Sequence, residues 1–173
     1  IYANDALYRR DAKAMAARGY VGVAAYSRGK GRSPDAIAPF EHDGVDAAAV
    51  IDWVAAQPWS DGRVGMFGGS YNSFAQWAAL KHRPKALKAI ATSASAAPGI
   101  DIPMEGGIFL NFMYPWPFYA ASNRSLDDAR YGDSARWAAL NRDWYASGRA
   151  YRDLPAIDGE PNPVFTRWLQ HPD

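Results

Sequence analysis

Cysteine is absent from these 173 residues, and histidine occurs only three times. The first absence excludes disulfides, a Cys-ligated zinc and a thiol nucleophile, and leaves the compartment, cytoplasmic or exported, undecided. The second limits the candidate general bases to His42, His82 and His171. An excess of one charge is lacking too: 19 Lys and Arg against 18 Asp and Glu give a formal net charge of +1. With no Lys/Arg run, that balance argues against a nucleic-acid partner. No apolar run approaches the ~20 residues of a membrane span, and no charged segment followed by an apolar one opens the chain as a signal peptide would. The first residue is Ile1 rather than Met, so the sequence reads as one entered part-way, a fragment or a processed piece.

What is present is an ordinary globular composition, 49% hydrophobic and 21% charged. The length suits one domain with a real core and is short for two. Asp5 and Gly19 bracket an amphipathic helix carrying Ala12, Met15 and Ala16 among Arg and Lys. Tyr20 to Ala25 is a short unbroken apolar run, the pattern of a strand buried on both faces. A Gly-, Lys- and Arg-rich loop, Arg28 to Ser33, lacks the spacing of a phosphate-binding loop and reads as a tight turn. Val45 to Gln57 is helical with Val50, Ile51 and Val54 on one face, and Pro58 lies just past its end. A strand at Val64 to Phe67, a helix from Tyr71 to His82 with Trp77 and Leu80 inward, and a strand at Leu87 to Thr92 follow. Helices and strands alternating with short connections predict a parallel, doubly wound α/β sheet, of which three strands are only a part.

The character changes near Pro98. Beyond Ile100 no convincing strand appears, while Trp116, Trp137, Trp144 and Trp168 stand among several Tyr and Phe. Ser134 to Ser147 has helical periodicity, with Gly148 placed to cap its end. Asn162-Pro163 reads as an N-cap followed by Pro at the first helical position, opening a last helix to about Gln170.

Between strand and helix lies Gly68-Gly69-Ser70-Tyr71-Asn72. A serine on a tight strand-to-helix turn needs small neighbours, and the helix that starts there aims backbone N–H groups and its positive end at the serine. Ser70 is therefore the candidate nucleophile, and the backbone N–H of Tyr71 the candidate oxyanion donor. Asn72 stands where the strict G-x-S-x-G pattern has its second glycine. Of the histidines, His82 ends the helix that Ser70 begins, about 16 Å away by helix rise, so it cannot be the base. Phe109, Phe112 and Trp116 are candidates to line an acyl pocket, although aromatics on helices are commonly plain core.

The stretch from Ala55 to Tyr71, Ala-Ala-Gln-Pro-Trp-Ser-Asp-Gly-Arg-Val-Gly-Met-Phe-Gly-Gly-Ser-Tyr, resembles the approach to the nucleophile in the X-Pro dipeptidyl-peptidase-like, CocE/NonD family of α/β-hydrolases. That family's elbow reads G-x-S-Y-x-G; here Ser73 replaces the final glycine. Gly19-Tyr20-Val21 and Arg28-Gly29-Lys30-Gly31-Arg32-Ser33 are similar to the family's upstream strand and R-G-x-G-R-S loop, without the Asp that commonly precedes that loop. The resemblance covers essentially the whole chain, most specifically residues 20 to 94. It implies a partial α/β-hydrolase core over residues 1–97 and an inserted helical cap over residues 98–173. It further implies a tyrosine hydroxyl in the oxyanion hole, matched here by Tyr2 with Ile1 in place of the family's proline. The triad Asp and His would lie past Asp173. Glycine near Glu105-Gly106-Gly107, where amino-ester hydrolases of this type carry a carboxylate, argues against a β-lactam acylase.

The function implied is a serine acyl hydrolase, an esterase, amidase or X-Pro dipeptidyl-peptidase, acting on a small ester, amide or peptide through an acyl-enzyme on Ser70. No metal or organic cofactor is implied. The rival expectation is a non-catalytic domain that keeps the fold and binds a ligand or partner through its aromatic half. Taken alone, the 173 residues are expected to turn over substrate negligibly and, with open sheet edges, to self-associate.

Overall fold

A computed structural model describes residues 5–171. They fall into two compact units that divide between Ala97 and Pro98. In the first unit, helix α1 spans Asp5–Ala16, α2 spans Asp43–Ala55, strand β1 spans Val64–Gly69, α3 spans Tyr71–Leu80 and β2 spans Leu87–Ser93. Strands β1 and β2 pair in parallel, from Val64 opposite Leu87 to Gly69 opposite Ser93. Parallel neighbours need a crossover, and α3 supplies it. Helix α2 lies against α3 where Gly44 meets Ala78: a Cβ on Gly44 would come 2.8 Å from the Ala78 carbonyl oxygen. The two helices thus approach more closely than any side chain at position 44 would permit. Ile51 and Ala48 bury the inner face of α2, while Val50 and Val54 are only half covered.

Two expectations change here. The run from Tyr20 to Ala25 joins no ladder, and Tyr20, Val21 and Val23 are exposed. Gly22 is pressed instead against α1, where a Cβ would lie 2.5 Å from the Ala12 carbonyl oxygen. Among the described residues this sheet therefore has two strands rather than the three expected. An apolar run reports readiness to be covered, and pairing still needs a neighbour's backbone in register. The second change concerns α3. Trp77 is 52% exposed and Leu80 37%, whereas Tyr71, Ser73, Ala75, Gln76, Ala78 and Ala79 are buried. The buried positions of α3 thus combine the small Ser73, Ala75, Ala78 and Ala79 with Tyr71 and Gln76, whose polar atoms find hydrogen-bond partners.

The loop from Ser27 to Pro34 is tied by its own backbone, with Gly29 N–H donating to the Pro34 carbonyl and Ser33 N–H to that of Lys30. Arg28 clamps it onto α2 through a two-pronged pair with Asp46, both bonds 2.7 Å. Lys30 is 2% exposed, and burial pulls its ammonium down to a pKa of about 8.

The second unit is helical: α4 Trp116–Ala120, α5 Asp128–Tyr131, α6 Ser134–Ser147, α7 Leu154–Asp158 and α8 Pro163–Gln170. It also holds a two-residue hairpin absent from the sequence-based reading, β3 Met104–Glu105 against β4 Ile108–Phe109. Gly106 and Gly107 make its turn at φ 58° and 81°, the positive values that two-residue hairpin loops favour. Gly148 caps α6 in the left-handed region, and Asn162 caps α8 by accepting from the Phe165 N–H at 3.1 Å, both as expected. Tyr114, Phe118, Trp137, Leu140, Leu154 and Phe165 form the core of this unit. Beside it the Tyr114 hydroxyl donates to Asp158 at 2.9 Å, and Arg136 reaches Asp158 at 2.7 Å and Glu160 at 3.1 Å.

Candidate active site

Strand β1 runs into Ser70, and α3 begins one residue later. The Ser70 N–H closes the parallel ladder onto the Ser93 carbonyl at 2.9 Å, and the Ser70 carbonyl accepts from Ser73 and Phe74 at 3.0 Å each. One residue thus ends the strand and starts the helix. The cost is backbone geometry: Ser70 has φ 56° and ψ −124°, outside the regions L-residues ordinarily occupy. The side chain is carried at the apex of the turn, and the residue is exposed.

Of the two preceding glycines, Gly68 is sterically required, while Gly69 is crowded only by a serine hydroxyl. Gly68 has φ 143°, and a Cβ there would sit 2.7 Å from the Cβ of Asn72. A Cβ on Gly69 would sit 2.7 Å from the Ser93 hydroxyl oxygen. The departure at Asn72 is thereby accommodated, since the space a glycine at 72 would leave open is provided by Gly68 on the facing strand.

Tyr71 follows as the first residue of α3, a position whose N–H has no carbonyl one turn behind it in the helix. Its ring is buried, stacked on Phe40 at 4.6 Å and edge-on to Phe74 at 5.5 Å. Its hydroxyl donates to Asp43 Oδ2 at 2.7 Å and accepts from the Phe40 N–H at 2.8 Å. Burial pushes the Asp43 carboxyl above the usual carboxylate range, against the opposing bonds from Tyr71, Phe40 and Ser27. Asp43, at the start of α2, was not singled out from the sequence, and neither was Gln76. The Gln76 amide nitrogen donates to the carbonyls of Gly68 at 3.2 Å and Asn72 at 3.0 Å, and its oxygen accepts from Ala91 N–H at 3.1 Å. Ser73 is fully buried and shares a hydrogen bond with Ser95 just past β2.

Tyr2 lies outside the described residues. Phe109 packs at 5.0 Å on Phe165, and Trp116 at 5.8 Å on Trp168, so both rings are engaged within the second unit. Phe112 is 47% exposed on a short helical turn, Asn111–Met113. Among the histidines, His82 sits against the start of α2, its Nε2 3.0 Å from where a Gly44 Cβ would be. His42 precedes α2 without a side-chain capping bond. His171 follows α8 and is exposed. No group of three or more metal-ligating side chains occurs among the described residues, and no helix there is long and apolar enough to cross a membrane.

A strand ending in two glycines, a strained serine and a helix thus follow one another here. The model of the X-Pro dipeptidyl-peptidase (S15) family matches residues 2–173. The chain belongs to this family. Cocaine esterase of Rhodococcus sp. is 33% identical to it over 127 residues, which is 70% of this chain and 22% of that protein. Two mycobacterial proteins, each named "Putative serine esterase", from Mycobacterium bovis and Mycobacterium tuberculosis, are 30% identical over 135 residues. That alignment takes in 76% of this chain and 21% of theirs. The S15 chain described here thus spans about a fifth of the length of the curated relatives it matches. Helices and strands both contribute to its first unit, consistent with the α/β architecture implied for the family.

Proposed function

We propose that the protein carrying this chain is a serine acyl hydrolase with Ser70 as its nucleophile. The observation that carries the proposal is the conformation of Ser70, φ 56° and ψ −124°, at the junction of β1 and α3. Strain of that kind costs about 1–3 kcal/mol and persists where surrounding structure enforces it, characteristically at reactive residues. In the proposed reaction Ser70 Oγ adds to the substrate carbonyl carbon while its proton passes to a histidine base. The oxyanion that forms is held by the Tyr71 N–H and the Tyr2 hydroxyl. Collapse expels the alcohol or amine, which takes the proton, and leaves an acyl ester on Ser70. Water then attacks that ester, releasing the acid and restoring the serine.

The base and its supporting Asp are assigned to parts of the protein beyond residue 173. Residues 1–97 serve as the partial hydrolase core of a doubly wound sheet, and 98–173 as the inserted cap. Within the cap, Phe112 is the most available of the three aromatic candidates, because Phe109 and Trp116 commit their rings to packing. Small acyl esters are the favoured substrates, since the relatives above are esterases by name and the family name adds peptides beginning with X-Pro. The test is hydrolysis of p-nitrophenyl esters and of X-Pro amides by the full gene product and by its Ser70→Ala variant. Loss of about 10^6-fold in kcat with the fold intact supports the reading; retained turnover refutes it.

A further inference from the structure

We propose that Gln76 is a positioning residue for Ser70, its side-chain amide bridging the elbow from both sides. The inference rests on the serine-nucleophile reading above and extends it to a residue that touches neither substrate nor the serine side chain. Gln76 lies in the second turn of the elbow's own helix and is fully buried. Its amide nitrogen donates to the Gly68 carbonyl, two residues before Ser70, and to the Asn72 carbonyl, two residues after it. Its oxygen accepts from the Ala91 N–H on β2. One planar amide therefore links the end of β1, the first turn of α3 and the neighbouring strand. The strained residue is the midpoint of the span.

An amide is suited to this place for a chemical reason. Two carbonyls and one N–H converge on it, and only a group with two donors and an acceptor satisfies all three. A carboxylate supplies acceptors alone, and a thioether of similar length supplies no donor. The bridge also ties together the two residues whose close approach lets Asn72 fit. Gly68 is at φ 143° with Asn72 crowded against it, and the Gln76 nitrogen bonds the carbonyls of those two residues. Misplacing a reacting atom by about 1 Å can cost about 10²-fold in rate, so freeing these carbonyls acts on Ser70 without removing any reacting group.

The test uses the full-length gene product and its Gln76→Met and Gln76→Glu variants. Each is treated with a fluorophosphonate, in which Ser70 Oγ displaces fluoride from phosphorus. Adduct formation is timed by intact mass, with circular dichroism and KM for an ester measured alongside. Gln76→Met is expected to keep its fold and KM and to label about 10²-fold more slowly. Gln76→Glu is expected to label more slowly than the parent even at low pH, where the neutral carboxyl donates one of the two bonds, and to fall further behind as pH rises and the carboxylate donates none. Equal labelling of the parent and a folded Gln76→Met overturns the assignment and leaves the nucleophile reading standing. A parent that is not labelled at Ser70 overturns both. Should Gln76→Met fail to fold, a pH-independent ratio of Gln76→Glu to parent overturns it, as does failure of both variants to fold, which makes the residue structural only.

Discussion

Ser70 occupies its unusual conformation because the residues on either side leave it no alternative. The ladder bond to Ser93 fixes its N–H, and the first turn of α3 fixes its carbonyl. Gly68 is the position where this arrangement is most easily broken. A methyl group there meets Asn72 at 2.7 Å and must adopt φ 143°. Gly68→Ala is therefore expected to cost about 2–3 kcal/mol in a denaturant melt. Adding Asn72→Gly should recover the part due to crowding and not the part due to φ; full recovery would show that φ at 68 carries no strain. Lys30 gives a second prediction at this scale. Its folded pKa of about 8 lies below the ordinary 10.5, so between those values the unfolded chain binds more protons than the folded one. Stability should then rise as pH climbs from about 8 towards 10.5, and Lys30→Met should flatten that slope. A slope unchanged in Lys30→Met, measured by urea titration across that range, would locate the proton uptake elsewhere.

At the scale of elements, what could be read from the sequence was what neighbouring residues decide among themselves. The turn before α3 announced itself through Gly68-Gly69-Ser70, and the caps at Gly148 and Asn162 through residue types with strong positional preferences. What escaped was decided by distant partners. Asp43 meets the Tyr71 hydroxyl across 28 residues, and Gln76 meets Ala91 across 15, so no local pattern marks either. Tyr20 to Ala25 has the composition of a strand, but the ladder that would make it one is not formed by the described residues. Trp77 and Leu80 looked inward by size, while the buried positions of α3 are Tyr71, Ser73, Ala75, Gln76, Ala78 and Ala79. The hairpin β3–β4, with two residues in each strand, is too short to leave a periodic pattern and was not read from the sequence. In the second unit the elements are pinned by the carboxylate of Asp158, whose side chain is 5% exposed and which serves both Arg136 and Tyr114. Asp158→Ala removes that acceptor, and a loss of about 2–3 kcal/mol is expected in the melt of this unit. A change below about 0.5 kcal/mol, the size of a typical surface substitution, would show that the pair contributes little.

For the whole molecule, the 173 residues cover about a fifth of their relatives' length while presenting Tyr20, Val21, Val23 and Phe67 to solvent. Apolar surface and unpaired strand edges in one unit favour association between copies. Isolated, the chain is expected to show a scattering mass that grows with concentration; a monodisperse monomer over the same range would contradict this. The central claim is that acyl transfer passes through Ser70. It is tested most directly by acid-quenching the full gene product during turnover of a p-nitrophenyl ester and mapping its peptides by mass. The account predicts one acyl group on the peptide containing Ser70, absent in Ser70→Ala. An acyl group on another residue, or turnover with the Ser70 peptide unmodified under conditions where deacylation limits the rate, would contradict it.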